Sequence, residues 1–120
     1  MDYCSEAGNN LIEERHEDQK AEVQAEFDTV LKFLQITQDW HGMKEFTSLN
    51  KKGLCEIRFK VGNVQYRPTG SFGPGSKTFT IWIGCCKKMN IYDPPNAFNR
   101  ALKRRSLYEQ GRATIRERSI

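Results

Sequence analysis

The sequence predicts a single α+β domain in which helices come first, antiparallel strands follow, and a last helix comes near the end. Three observations carry this reading. Val23, Phe27, Val30, Leu31 and Leu34 form an apolar stripe at helical spacing. Residues 54–61 and 64–67 alternate polar and apolar around Gly62-Asn63, as the two arms of a hairpin do. Asp93-Pro94-Pro95 supplies an N-cap acceptor and prolines in the first turn of a helix. At 120 residues, 38% hydrophobic and 28% charged, the chain has the size and composition of one soluble globular domain.

Taken in order, Asn10 followed by Glu13 three residues later resembles a capping box, so a turn or two of helix is expected there. One amphipathic helix is then expected over about residues 18–38, which makes residues 10–38 the helical part. Glu22, Glu26, Asp28 and Lys32 form its solvated side. Residues 37–52 lose periodicity and carry Trp40, Gly42, Met43 and Phe46 among polar neighbours, the pattern of a loop with apolar plugs.

The expected sheet covers residues 54–84. A two-residue loop at Gly62-Asn63 sets Val61 opposite Val64, Lys60 opposite Gln65, Phe59 opposite Tyr66 and Arg58 opposite Arg67. Ile57, Phe59, Tyr66 and the two valines then share a buried face, and Glu56, Arg58, Lys60, Gln65 and Arg67 share the other. Facing arginines repel, so an anion is expected over them. Pro68 ends the second arm or leaves its amide position on an unpaired side. Residues 70–77, with Gly73-Pro74-Gly75-Ser76, read as a turn, and residues 78–83 as a short apolar central strand. Residues 89–93 read as a loop. A helix over residues 94–109 carries Phe98, Ala101, Leu102 and Tyr108 on one side and stops before Gly111, leaving a basic tail at 110–120.

The net charge of +4 hides a division. Residues 1–50 hold four Lys/Arg against eleven Asp/Glu, a balance of −7, and residues 51–120 hold fifteen against four, a balance of +11. Such asymmetry suggests a polyanionic partner for the second half, or two halves that fold together and neutralise each other. Cys4, Cys55, Cys85 and Cys86 make no C-x-x-C pair, and His16 and His41 have no ligand spacing around them. Neither a metal site nor a disulfide framework is expected, and no cofactor. The polar start has no basic-then-apolar leader and no stretch spans a bilayer, so the expected place is the cytoplasm and no membrane partner is expected.

Gly53-Leu54-Cys55-Glu56-Ile57-Arg58 resembles the G-L-x-E-I-R step of phage-derived HigB-like toxins in the RelE/ParE superfamily. Tyr66-Arg67 resembles their following Y-R. The strand 79–84 running into Lys87-Lys88, and then Pro95, Ala101, Arg104-Arg105 and Tyr108, resemble their later segments. The match covers about residues 50–108. It implies N-terminal helices packed on a small twisted antiparallel sheet with a C-terminal helix. It also implies the toxin of a type II toxin–antitoxin pair: a metal-independent endoribonuclease cutting messenger RNA, often on the ribosome, and held by a small helix-turn-helix antitoxin. The ParE branch instead binds a host protein, DNA gyrase, and a phage-derived module that keeps RNA binding without chemistry is a third reading.

Metal-free RNA cleavage needs an activated 2′-OH, stabilised phosphorane-like charge and a protonated leaving oxygen. In that scheme Arg67 holds the scissile phosphate through its planar fork, and Arg58 reinforces it. Lys87 grips the backbone or donates a proton, and Tyr108 is a phenolic acid or a stacking ring. Lys60, Lys88, Arg104 and Arg105 are the remaining RNA-binding candidates. Each has a plainer alternative: Arg67 can pair with Glu56, Lys87-Lys88 can be a solvated strand end, and Lys103-Arg104-Arg105 can be the exposed side of a helix end. Trp82 and Tyr66 can stack on bases or belong to the core. The general acid and base are unassigned, since the tail lacks the histidine that some members use.

Overall fold

The first and last elements are strands. In order the chain forms β1 (Asp2–Cys4), α1 (Leu11–Glu17), α2 (Ala21–Gln35), β2 (Phe46–Lys51), β3 (Leu54–Ile57), β4 (Phe59–Val61), β5 (Val64–Tyr66), β6 (Thr69–Phe72), β7 (Phe79–Ile83), β8 (Cys86–Lys88), β9 (Ile91–Asp93), α3 (Ala97–Glu109) and β10 (Thr114–Arg116). The computed structural model describes residues 1–75 and 77–119; Ser76 of the expected turn and Ile120 of the expected tail lie outside the described residues. The strands make a six-stranded sheet, ordered β10-β1-β7-β6-β3-β2, and a four-stranded sheet, ordered β4-β5-β8-β9. The chain is α+β, but it is rich in sheet. The expected arrangement of N-terminal helices on one small antiparallel sheet is not what forms.

The difference has local causes. β1 and β10 are three residues each, too short to show a period, and they exist because they pair with each other (Asp2 opposite Arg116, Tyr3 opposite Ile115, Cys4 opposite Thr114). β1 also lies parallel beside β7. The expected loop 37–52 contains β2, which pairs with β3 through Phe46–Ile57, Thr47–Glu56 and Ser48–Cys55. The expected loop 89–93 is the turn and second arm of the β8–β9 hairpin, closed by Met89 and Asn90 at φ 50° and 64°. The helical part expected over 10–38 forms as a short helix and then a longer one, α1 and α2. Asn10 caps α1 by accepting from the Glu13 amide at 2.9 Å, and α2 buries Val23, Phe27, Val30, Leu31 and Leu34, the stripe read from the sequence. The last helix begins at Ala97, three residues later than its prolines suggest.

The two sheets share strands that bend. β3 runs through Arg58 into β4, β5 runs through Arg67-Pro68 into β6, and β7 runs through Gly84-Cys85 into β8. The hairpin register is the same on both sides of the bend: Val61 faces Val64, Lys60 faces Gln65 and Phe59 faces Tyr66 on one side, and Glu56 faces Thr69 on the other. Arg58 therefore falls opposite Arg67. At this seam Ile57 donates its amide to Pro68 O at 2.8 Å, Arg67 donates its amide to Cys85 O at 2.8 Å, and Arg58 turns its amide to Glu45 O at 2.7 Å. Proline can accept there without having to donate.

The core lies between the six-stranded sheet and the helices. It joins Leu34, Leu54, Ile57, Ile81, Trp82, Ile83 and Ala101. The Trp82 indole N–H donates to Ser71 Oγ at 2.8 Å, which satisfies a buried donor. The tail is pinned as well: Arg118 Nη1 donates to Asp2 Oδ2 at 2.8 Å and to Glu13 Oε2 at 2.9 Å, and its guanidinium lies over the Phe27 ring. No helix is long and apolar enough to cross a membrane among the described residues.

β6 and β7 approach so closely at Gly70 that a Cβ there would sit 2.1 Å from the Thr80 carbonyl oxygen. Backbone cannot yield by that much without parting the central strands. Gly70→Ala is expected to cost about 3 kcal/mol, read as a lower denaturant midpoint at unchanged slope.

Candidate nucleic-acid interface

The seam places a carboxylate between the facing arginines. Glu56 is fully buried. Its Oε1 accepts from Arg58 Nε at 3.0 Å, Arg58 Nη2 at 2.9 Å and Arg67 Nη1 at 2.6 Å, and its Oε2 accepts from the Tyr92 hydroxyl at 3.2 Å. Period-two alternation puts Glu56 and Arg58 on one face of the bent strand, and the constant register brings Arg67 across to meet them. The anion expected over the arginines is thus part of the chain. Both readings of Arg67 were open in the sequence, and the geometry selects the pairing with Glu56.

The arginines are left in different states. Arg67 is 13% exposed and also donates to Gln65 Oε1, so most of its fork is occupied. Arg58 is 37% exposed and stands on the rim of the cluster. Arg58, rather than Arg67, is the guanidinium that can meet a ligand.

Around this cluster the outer face of the four-stranded sheet carries a cross-strand row. Lys60 faces Gln65, Gln65 faces Lys87 and Lys87 faces Tyr92. Lys60 and Gln65 are exposed, and Lys87 and Tyr92 are half-buried. The Lys87 ammonium sits 5.4 Å from the centre of the Tyr92 ring. The other face is apolar: Phe59 stacks on Tyr66 at 5.1 Å and on Phe27 of α2 at 5.6 Å. Tyr66 is therefore packed inward, as the core alternative had it, and burial pushes its phenol up. Trp82 is likewise core, 2% exposed.

Burial pushes the Tyr92 phenol up to about 12, with the Glu56 charge beside it adding to the shift. It holds its proton at neutral pH and serves as a fixed donor. Burial also pushes the Cys85 thiol up to about 12. Cys85 donates to Arg67 O at 2.8 Å and is no thiolate nucleophile.

The remaining sequence candidates are dispersed. Strand alternation turns Lys88 to the face opposite Lys87, paired with Ile91. Tyr108 packs against Trp82 at 5.7 Å, away from the Glu56 cluster. Arg104 donates to Trp82 O at 2.9 Å and lies over the Tyr3 ring, and Arg105 donates to Lys52 O at 2.7 Å. These two arginines hold α3 and the β2–β3 turn in place. The sequence reading missed Tyr92, whose signal was its place opposite Lys87 in a hairpin taken for a loop, and it missed Lys51; Phe98, read on the packed side of the last helix, does pack against the core.

No family model, no curated protein and no solved structure matches the chain.

Removing the Glu56 charge leaves two arginines facing each other in partial burial. Glu56→Gln is expected to cost about 3 kcal/mol in a denaturant titration. Tyr92 and Cys85 contribute to the alkaline behaviour. Their ordinary values, 10.0 and 9.0, are each raised to about 12 in the folded protein. The folded state therefore binds these protons more tightly, and its stability is full below pH 9 and falls as pH rises towards about 12. Tyr92→Phe is expected to make the fall above pH 10 shallower, measured as the denaturant midpoint against pH.

Proposed function

We propose that the protein binds RNA through the outer face of its four-stranded sheet. The observation that carries this reading is the row Lys60, Gln65, Lys87 and Tyr92 with Arg58 beside it. Lysines two strands apart stand roughly 10 Å from each other, a spacing that suits phosphates along a backbone. Gln65 between them offers an amide for a ribose hydroxyl or a base edge. Four cations on this face, Arg58, Lys60, Arg67 and Lys87, are offset by one carboxylate, Glu56, so the local balance favours a polyanion.

Messenger cleavage by a toxin of the RelE/ParE kind, on the ribosome and under an antitoxin, is the narrower second reading. Arg58 and Lys87 on one face favour it, since fixed cations stabilise a phosphorane-like transition state. Acid–base groups are what it lacks. Glu56 is sealed from solvent, and a phenol at about 12 is a poor proton donor at neutral pH. Arg67→Ala does not test it cleanly, because that change breaks the buried pair; Lys87→Ala does.

The test has two arms. In anisotropy titrations with RNA, the affinity is expected to fall linearly with salt on logarithmic axes, and Lys60→Ala with Lys87→Ala to reduce the slope by about 1.4 to 1.8. Absence of salt-dependent RNA binding overturns the proposal. Controlled expression with mapping of transcript ends separates the functions: new ends absent in Lys87→Ala support cleavage. Growth arrest with intact transcripts points to a protein target such as gyrase, and harmless expression with RNA binding retained leaves a binding module.

A further inference from the structure

A string of contacts runs off the edge of that face. The Lys87 ammonium caps the Tyr92 ring, Tyr92 meets Phe98 at 5.0 Å with the ring planes at 64°, and the Lys51 ammonium caps the Phe98 ring at 5.2 Å. The four residues come from β8, β9, α3 and β2, so the string crosses from one sheet to the other. Both rings are half-buried. Tyr92 is held in place by its hydroxyl bond to Glu56. An ammonium lies over each ring, in contrast to Tyr3 and Trp82, which are enclosed to 3% and 2% exposure.

Half-buried aromatic rings with an ammonium over each suit a ligand that is itself flat and anionic, for which ring and ammonium both have a use. The angle between the rings selects further. Bases in a duplex lie parallel, so two neighbours cannot stack on planes 64° apart. Unpaired bases can splay to do so.

We propose that this strip takes two unpaired bases of a single RNA strand, one on Tyr92 and one on Phe98, while Lys87 and Lys51 move from the rings to the adjoining phosphates. This deepens the RNA-binding reading and rests on it. The strip makes the protein prefer single strands to duplexes, whereas the lysine row alone answers to charge.

The test compares a short oligoadenylate with an RNA duplex of equal length, using wild type, Phe98→Leu, Tyr92→Phe and Lys51→Met, each checked for an unchanged melting temperature. Tighter binding of the single strand by wild type is expected. Phe98→Leu keeps the apolar volume and loses the ring, and is expected to weaken the single strand by about 5- to 150-fold while leaving the duplex and the salt slope unchanged. Tyr92→Phe keeps its ring but loses the hydroxyl bond to Glu56 that holds it, and is expected to weaken the single strand less than Phe98→Leu does. Lys51→Met is expected to reduce the single-strand salt slope by about 0.7. Equal binding of the two RNAs, or Phe98→Leu indistinguishable from wild type, overturns the strip while salt-dependent binding still upholds the basic face. Loss of salt-dependent binding to both RNAs in wild type removes the basic face and the strip together.

Discussion

A carboxylate without solvent exposure, sitting between two arginines on neighbouring strands, fixes the relations of everything near it. Taking Glu56 out of water is costly, and the cost is met by four hydrogen bonds, three of them from guanidinium groups. Apolar residues of the same volume could match the resulting stability. They could not hold Arg58 half in solvent with a set orientation, or aim the Tyr92 ring by its hydroxyl. The buried charge thus serves position: it holds the two seam arginines in one network and limits their side-chain freedom.

That network sits where three strands bend at once. Arg58, Pro68 and Gly84 each mark the bend differently. Arg58 sends its amide out of the ladder to Glu45, Pro68 has no amide to send, and Gly84 leaves room for Arg15 of α1, whose Cδ would lie 2.5 Å from a Cβ there. Because the register is unbroken across the seam, one strand can contribute to the core with Leu54 and Ile57 and to a polar outer face with Lys60 only a few residues on. Packing of the first sheet into the core and presentation of one face of the second sheet to solvent are therefore two ends of the same strands.

Much of this was legible where a pattern is local. The hairpin register followed from Gly62-Asn63 and alternation, and so did the convergence of Arg58 and Arg67. The α2 stripe and the Asn10 cap were visible for the same reason, each set by residues within a turn of one another. What was not legible depended on distant partners. β1 and β10 have no period of their own and are strands through each other. β2 looked irregular because only Phe46 among its residues is fully enclosed. Arg104 and Arg105 read as free cations on a helix, yet carbonyls of Trp82 and Lys52, which no spacing in α3 announces, take their N–H groups. Glu56 was seen as a neighbour of Arg67, but its enclosure also takes Tyr92, which comes from a hairpin read as a loop.

The division of charge along the sequence closes in part, where Arg118 meets Asp2 and Glu13, and stays open around the second sheet. The acidic first half supplies α2, which lies behind the second sheet with Glu22 and Glu26 turned outward, while Lys60 and Lys87 belong to its other face. Opposite charge on the two sides of that sheet makes a local dipole across it. Near a polyanion the protein rotates before it touches, so a larger share of collisions begins with the sheet leading and the helices trailing. Alignment of this kind belongs to the approach rather than to the complex, and it fades once the screening length becomes shorter than the molecule is thick.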